Sequence, residues 1–290
     1  MNWDGLLLIN KPQAETSHTI VQIIKNRLKV EKAGHLGTLD PIATGVFPVC
    51  LGKATRLTPF YMGADKCYLA AIHFGYFTTT DDREGRPEGP VSKIRFSKEQ
   101  LERVISSFQG DFQQKPPAFS AKKIKGKKAY ELARMGIKPD LPIQKVSIHD
   151  IRLMHFEKDT AVVYIHCGTG TYVRAIAREL GLRLRCGAHV KDLARTQFSQ
   201  FRLEECSDPD SPLEKLRTSF IPLSEMLNDF PEIALDDAMA KKILNGSSVD
   251  VEGPFDKEWV KVFDEKNNLL AFAKVETGEK NLLQPKIVFN

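Results

Sequence analysis

The sequence Gly34-His35-Leu36-Gly37-Thr38-Leu39-Asp40-Pro41-Ile42-Ala43-Thr44-Gly45 is the most informative segment of the chain. With Pro48, it places five glycines and prolines within fifteen residues, a density that predicts a stiff, irregular loop. Pro41 disfavours the right-handed helical conformation for Asp40, and the neighbouring glycines allow the backbone to approach a ligand closely. The Asp40 carboxylate could be a nucleophile or a general base. Because Asp-Pro is common in turns, it could also be only a turn former.

Strands and helices are predicted on both sides of this loop without a regular strand–helix–strand rhythm, which favours an α+β fold. Apolar alternation predicts strands, and apolar residues at helical spacing predict helices. The predicted strands cover residues 5–9, 68–76 and 160–167, and the predicted helices cover residues 18–30, 98–109, 127–135, 189–195 and a segment that starts near residue 171. Arg174 and Arg178 are expected on one face of that last helix.

The composition predicts two domains with a boundary near residue 229. A chain of 290 residues is long enough for about two domains. An acidic, proline-containing segment at 207–212 is followed by Pro222 and Pro231. We therefore expect one domain over residues 1–228 and a second over 229–290. A short helix at 236–245 and a hairpin of two strands, 259–263 and 269–275, predict that the second is small and mostly β.

Several classes of protein are excluded or disfavoured. With 42% hydrophobic residues the chain is ordinary for a globular protein. It has no run of about 18 apolar residues, so no membrane helix is predicted. The apolar run at residues 6–9 is too short for a signal-peptide core, and we expect a cytoplasmic protein. Five scattered cysteines without a CxxC pair are expected to be buried or incidental thiols.

Basic residues are concentrated in one segment. Residues 115–138 hold eight Lys and Arg against one acidic residue, Glu131, whereas the net charge of the whole chain is +5. Residues 229–290 hold eight lysines and twelve acidic residues, a net charge of −4. Clustered cations bind phosphates with release of counterions, so the basic segment suggests a polyanionic partner. A solvated, lysine-rich surface is the alternative interpretation.

The chain lacks the common motifs for cofactor or metal chemistry. Its glycine-rich segments do not have the spacing of a phosphate-binding loop or a dinucleotide fingerprint. No nucleophile elbow is found, and the seven histidines show no metal-ligand spacing. We therefore expect chemistry on an anionic substrate without a cofactor or a metal.

The loop at 34–45 resembles the catalytic loop of the bacterial tRNA pseudouridine-55 synthases, which isomerise a uridine in the T loop of tRNA. The resemblance covers about residues 3–228 in ordered blocks. The other matching blocks lie at residues 5–12, 66–68, 80–81, 116–122, 126–134, 170–174 and 186–190. It implies a catalytic domain with a mixed or antiparallel sheet and flanking helices, an RNA-binding insertion at about 112–140, and a PUA-like RNA-binding domain at 229–290.

The same resemblance implies a role for each matching residue. Asp40 would be the catalytic nucleophile, and Arg174 would pair with it. His35 would lie against the RNA where the target base has left its stack. Tyr68 would stack on the flipped uracil, while Tyr172 and the backbone near Leu193 would contact the base or its neighbours. The implied RNA-binding residues are Lys11, Lys122, Lys123, Lys125, Lys127 and Lys128.

These roles are physically sensible, but each has a structural alternative. Aspartate side chains are ionised at neutral pH without an activating base, and an arginine can orient such a carboxylate. However, Tyr68 could simply pack in the core, Arg174 could belong to a solvated basic face, and His35 could satisfy a turn. The chain also departs from the family pattern, since it lacks the usual glycine before Thr16-Ser17 and has Phe119 where tyrosine is frequent.

The expected function is therefore that of a monomeric enzyme that grips the T arm of tRNA, flips one uridine and isomerises it with Asp40. Whether Asp40 attacks uracil C6, attacks ribose C1′ or acts as a base stays open. A non-catalytic RNA-binding or tRNA-folding protein, a base-excising hydrolase and a synthase acting on ribosomal RNA are the alternatives.

Overall fold

A computed structural model of the chain describes residues 2–120, 122–124, 126–137, 139–278 and 281–289. Its first fourteen strands are β1 Gly5–Lys11, β2 Ala33–His35, β3 Ala43–Leu51, β4 Lys66–Phe74, β5 Phe77–Thr78, β6 Pro87–Glu88, β7 Gly110–Gln114, β8 Lys123–Ile124, β9 Lys127–Lys128, β10 Gln144–Glu157, β11 Thr160–Cys167, β12 Ala188–Phe198, β13 Phe201–Arg202 and β14 Phe220–Pro222. The helices are α1 Ser17–Leu28, α2 Lys98–Ser106, α3 Ala129–Arg134, α4 Val173–Arg183, α5 Leu213–Thr218 and α6 Asp237–Leu244. Short 3₁₀ segments cover Gly52–Tyr61, Leu203–Glu205 and Leu223–Glu225.

A large mixed sheet forms the centre of the molecule, in the order β14-β1-β3-β12-β4-β11-β10-β7. Neighbouring strands along this path are antiparallel except β3 and β12, which run parallel with Leu193 opposite Ala43. Helices α1, α2 and α4 bury their apolar faces in the core of this sheet. The predicted α+β class is confirmed.

The prediction of a helix over residues 189–195 is wrong, because this segment lies within β12 in the middle of the sheet. Irregularities between Val190 and Asp192, and between Arg195 and Gln197, interrupt its pairing with β4. Each irregularity shifts the alternation of inward and outward side chains. The apolar residues therefore do not follow a period of two, and their spacing in the sequence resembles that of a helix.

The loop around Asp40 is shorter than the sequence predicted, because strands β2 and β3 extend into the predicted loop from both sides. Only residues 36–42 lie outside strands. Gly45 is in β3 with φ of 103°, and a Cβ atom there would lie 2.2 Å from the carbonyl oxygen of Arg195. A glycine is thus required where β3 pairs closely with β12. This close pairing sets the position of the loop that precedes β3.

Several other predicted elements are confirmed. Thr16 caps α1 through the backbone nitrogen of Thr19, and Ser97 with Gln100 forms a reciprocal capping box on α2. The apolar alternation along β4 buries one face of the strand, as predicted, with Tyr68, Ala70, Ile72 and Phe74 all buried. By contrast, the helix predicted over 127–135 begins only at Ala129, because Lys127–Lys128 pairs as a strand with β8.

The C-terminal part is a five-stranded sheet with one helix, α6. Its strands are β15 Glu232–Leu235, β16 Val249–Val251, β17 Trp259–Asp264, β18 Leu269–Glu276 and β19 Asn281–Val288. The predicted hairpin is formed by β17 and β18. Aromatic rings join this sheet to the 3₁₀ segment Gly52–Tyr61: the ring centroid of Phe60 lies 4.9 Å from Trp259 and 4.6 Å from Phe272. Within the described ranges, no helix is long and apolar enough to cross a bilayer.

Candidate active site

Asp40 lies in the loop of residues 36–42, at the end of the parallel β3–β12 pair, and its carboxylate is one-third exposed. Backbone and side-chain hydrogen bonds fix the loop on both sides of it. The hydroxyl of Ser17, at the start of α1, donates to the carbonyl of Leu39 at 2.8 Å and accepts from its amide. The amide of Ala43 donates to the carbonyl of Asp40 at 3.0 Å. The carboxylate is therefore presented to solvent by a backbone that has little freedom.

Lys11 is placed differently from the expectation that it would contact RNA. Its side chain is buried, and its ammonium donates to the carbonyl oxygens of Ala43 at 2.7 Å, Pro12 at 2.9 Å and Pro41 at 3.4 Å. Burial lowers the pKa of Lys11 to about 8, although the nearby Asp40 charge opposes this shift. Lys11 thus supports the Asp40 loop through the Pro41 and Ala43 carbonyls and is not part of an exposed basic surface.

Arg195 supports the loop from the side of β12. Its guanidinium is buried and donates to the carbonyls of Val46 at 2.8 Å and Gly37 at 3.2 Å. No carboxylate of the described part of the chain pairs with it. Burial lowers the pKa of Arg195, while the adjacent Tyr68 hydroxyl raises it. Because burying a charge without hydrogen bonds is costly, these carbonyl contacts are what allow Arg195 to be buried beside the loop.

Arg174, at the N-terminal end of α4, joins three segments around Asp40. Its Nε lies 2.8 Å from Oδ2 of Asp40, an ion pair in which the N–H bond does not point along the line between the two atoms. One terminal nitrogen lies 3.6 Å from a carboxylate oxygen of Asp82 and donates to the carbonyl of Thr80 at 3.0 Å. The other donates to the carbonyl of Phe119 at 2.9 Å. The predicted pairing of Arg174 with Asp40 is present in the structure.

Arg178, one turn along α4, fixes the same two neighbouring segments without touching Asp40. It donates to a carboxylate oxygen of Asp81 at 2.6 Å and to the carbonyl of Lys115 at 2.5 Å. The sequence predicted a shared face for Arg174 and Arg178, with solvation as one interpretation. In the structure the shared face is instead covered by the 80–82 loop and by the stem of the basic insertion.

Tyr68 and Tyr172 lie close enough to Asp40 for its charge to act on both phenols. Burial raises the pKa of Tyr68, the Arg195 guanidinium lowers it in part, and the Asp40 charge adds to the rise. Burial also raises the pKa of Tyr172, with the same contribution from Asp40. Tyr68 is buried in β4 directly opposite Arg195 of β12. Both rings are thus neutral beside the charged carboxylate.

His35 and Leu193 lie on the two strands that border the loop. His35 ends β2 and packs against Phe47, with ring centroids 5.3 Å apart. Burial, together with the charges of Arg195 and His18, lowers the pKa of His35, so its ring is neutral. Its Nδ1 is buried and has no hydrogen-bond partner among the described residues. Leu193 is buried in β12 between Ala43 of β3 and Ala70 of β4.

The basic insertion is connected to the site through two glutamines. The ammonium of Lys122 donates to Gln144, whose amide donates to the carbonyl of Gly170 at 2.9 Å. Gln114 donates to the same carbonyl at 2.5 Å and accepts from the amide of Tyr172 at 3.0 Å. Of the other lysines predicted to bind RNA, Lys125 and the side chains of Lys123, Lys127 and Lys128 lie outside the described residues.

Comparison with known families agrees with this arrangement. Residues 25–173 match the model described as TruB family pseudouridylate synthase (N terminal domain), and residues 231–289 match pseudouridine synthase II TruB, C-terminal. The first match alone spans half of the chain and includes the Asp40 loop. The chain belongs to the TruB family.

Relatives within the TruB family align with nearly the whole chain. A protein of Solibacter usitatus named tRNA pseudouridine synthase B is 37% identical over 98% of this chain and 99% of its own length. A protein of the same name from Caldanaerobacter subterraneus is 36% identical over the full length of both. Among solved structures, the fold is similar to that in the crystal structure of a Cbf5-Nop10-Gar1 complex, with a TM-score of 0.73, 24% identity, and coverage of 99% of this chain and 85% of that one.

The structure also shows supporting residues near the candidate site for which the sequence predicted no role. Arg195 was missed because its segment was predicted to be a helix. Asp82 directly follows a matching block, so its position in the chain was the available signal. Arg178 was predicted on the same helix face as Arg174, but the sequence did not indicate its partners, Asp81 and the Lys115 carbonyl. Gln114 had no signal beyond polarity, because its partners are backbone groups that any residue supplies.

Proposed function

We propose that this enzyme converts the uridine at position 55 in the T loop of tRNA into pseudouridine, with Asp40 as the catalytic carboxylate. The observation that carries the proposal is the surrounding of Asp40. Its one-third exposed carboxylate is paired with the buried guanidinium of Arg174 at 2.8 Å, and its charge acts on two neutral tyrosines, Tyr68 and Tyr172. A carboxylate held by an ion pair and still open to solvent on one side suits chemistry on a neutral base that has left its stack.

The base is flipped before it reacts, because its ring atoms are not accessible within a stacked loop. Unstacking costs a few kcal/mol, and stacking of the uracil on Tyr68 offsets part of that cost. His35, at the edge of the loop, then occupies the space from which the base has moved. As an uncharged ring against Phe47, it can replace base stacking without attracting a phosphate.

The reaction breaks the bond between N1 and C1′ and forms a bond between C5 and C1′. Asp40 provides covalent or basic assistance that divides this exchange into easier steps. The detached uracil rotates while the tyrosines exclude water from it. C5 then loses its hydrogen to solvent and N1 gains a proton, so the product is an isomer of the substrate. Arg174 keeps the Asp40 carboxylate in position through these steps.

The insertion of residues 112–140 grips the phosphate backbone of the T arm, and the domain of residues 229–290 has a positioning role. The link from Lys122 through Gln144 to the carbonyl of Gly170, which also accepts from Gln114, supports the role of the insertion, because Gln114 accepts from the amide of Tyr172. A second basic surface also suits a polyanion. It is a cavity of about 880 Å³ that includes the side chains of Lys93, Arg95, Arg103, Arg183 and Arg185.

The test is Asp40→Asn assayed on a T-arm hairpin labelled with tritium at C5 of the target uridine. We expect no release of tritium to water, while binding of the hairpin changes less than about threefold, since asparagine keeps the shape of the side chain. Asp192→Asn is the matched control. Asp192 also pairs with an arginine, Arg83 at 2.6 Å, and accepts from Gln13, a neighbour of the loop.

Three results would contradict the proposal. Tritium release by Asp40→Asn would remove Asp40 from its role. Free uracil as the product would indicate a base-excising hydrolase. Wild-type binding without conversion of the hairpin or of full-length tRNA would indicate a non-catalytic RNA-binding protein.

A further inference from the structure

A group of three metal-binding side chains lies outside the site described above. Asp65 precedes β4, His149 is on β10 and His166 is on β11. Nε2 of His149 is 3.2 Å from one carboxylate oxygen of Asp65, and Nε2 of His166 is 3.9 Å from the other. One ligand atom from each residue can be chosen so that all three lie within 4.8 Å of one another. The trio comes from three separate segments, so spacing along the sequence could not reveal it.

This geometry is close to what a tetrahedral metal ion requires. Zinc binds imidazole nitrogen and carboxylate oxygen at about 2.0–2.2 Å, which separates neighbouring ligand atoms by about 3.3 Å. The Asp65–His149 distance already meets this value. The other distances have to shorten by at most about 1.5 Å, a change that exposed side chains achieve by rotation about their χ angles.

The backbones that carry the three residues are held in place. His166 lies in the middle of the paired strands β10, β11 and β4, opposite Asp150 on one side and Cys67 on the other. His149 lies at an irregularity of β10, and its carbonyl accepts from Gln109 at 3.2 Å. The carbonyl of Asp65 accepts from the amide of Ser199 at 2.9 Å.

The chemistry of the ligand atoms selects the kind of ion. Two imidazoles with one carboxylate favour zinc, cobalt or nickel, whereas magnesium and calcium prefer oxygen ligands alone. The side chains are 36–50% exposed, so water can complete the coordination. Gly168, in the turn that leads to Tyr172, lies beside the trio, since a Cβ there would be 3.7 Å from Nε2 of His149, an ordinary van der Waals distance.

We propose that Asp65, His149 and His166 form a binding site for a divalent transition-metal ion, with zinc as the best fit. The ion would connect the segment before β4 to the β10–β11 hairpin, at the base of the turn that leads to Tyr172. This site is independent of the isomerase activity and of any role of Asp40.

The experiment is calorimetric titration of the chelator-treated full-length protein with zinc chloride, with ¹⁵N shifts of the histidine rings as a second measurement. We expect one ion per chain and shifts at His149 and His166. His149→Ala and His166→Ala should each weaken binding by about 10-fold or more. His155→Ala is the matched control, because His155 is an exposed histidine on the same strand as His149, and its ring nitrogen lies 3.6 Å from a carboxylate oxygen of Glu157 rather than near a second histidine.

Absence of zinc binding to the wild-type protein would overturn the proposal. So would binding that survives in the double variant His149→Ala/His166→Ala, since the ion would then be held elsewhere, for example by cysteines. Equal weakening by His155→Ala would indicate non-specific histidine binding. Because activity is not the measurement, failure here would leave the proposed function untouched.

Discussion

Replacing Arg174 by lysine keeps a positive charge beside Asp40 but changes how firmly the Asp40 carboxylate is positioned. A lysine can keep one ion pair, but it cannot also donate to the carbonyls of Thr80 and Phe119, which Arg174 reaches at 3.0 and 2.9 Å. Losing two charge-assisted hydrogen bonds at about 1.5 kcal/mol each lowers the free energy of unfolding by about 3 kcal/mol. Without these hydrogen bonds the new side chain holds the Asp40 carboxylate less firmly, and a displacement of that carboxylate by about 1 Å lowers the rate of isomerisation about 100-fold.

The assay is single-turnover tritium release with enzyme in excess, so that weaker RNA binding does not limit the rate, together with urea unfolding. Arg178→Lys is the control, because this substitution also removes a planar guanidinium, the one that donates to Asp81 and to the Lys115 carbonyl. Unlike Arg174, Arg178 does not contact Asp40. We expect similar losses of stability in both variants and a rate within about threefold of wild type only for Arg178→Lys. Equal rates in the two variants would refute the positioning role of Arg174.

Three further outcomes are expected. Gly45→Ala should lower the free energy of unfolding by more than about 3 kcal/mol in urea, because of its positive φ and the Arg195 carbonyl 2.2 Å from the new Cβ. Burial lowers the pKa of Lys11 to about 8, so above that pH the unfolded state binds more protons than the folded state. The free energy of unfolding of the wild type should therefore rise from about pH 8 to 10 relative to that of Lys11→Met. Parallel pH profiles of the free energy of unfolding in the two proteins would contradict this. Glutamine replacements in the insertion should reduce the slope of log binding constant against log salt concentration by about 0.9 for each phosphate that the protein no longer neutralises. The measurement is filter binding of the RNA to variants of Lys122, Lys123, Lys125, Lys127 and Lys128.

The sequence predicted those parts of the site that a local motif carries. The glycine and proline pattern placed Asp40 in a constrained loop, and the family resemblance paired it with Arg174, as the structure shows. The alternation along β4 correctly predicted the burial of Tyr68. These features depend on neighbours in the chain or on a recognised block, so they can be read without knowledge of the tertiary packing.

The remaining features depend on long-range packing. The resemblance implied that Lys11 binds RNA, and nothing in its neighbourhood in the sequence shows that three carbonyl groups accept from its buried ammonium. The central strand β12 was hidden by its irregular pairing on the β4 side. Arg195 was hidden with it, although its guanidinium donates to the carbonyls of Gly37 in the Asp40 loop and Val46 in β3.

The aromatic junction between the two sheets gives the protein a built-in optical reporter. The chain has two tryptophans, and they lie in different environments. Trp3 meets Phe220 edge-on within the N-terminal part, 5.0 Å between centroids, whereas Trp259 stacks on Phe272 at 5.2 Å beside Phe60. With Trp3 replaced by phenylalanine, tryptophan emission would come only from Trp259, beside the contact between the C-terminal sheet and the 3₁₀ segment Gly52–Tyr61. With Trp259 replaced instead, it would come only from Trp3 in the N-terminal part. A fluorescence titration of each variant could then distinguish detachment of the C-terminal sheet from global unfolding.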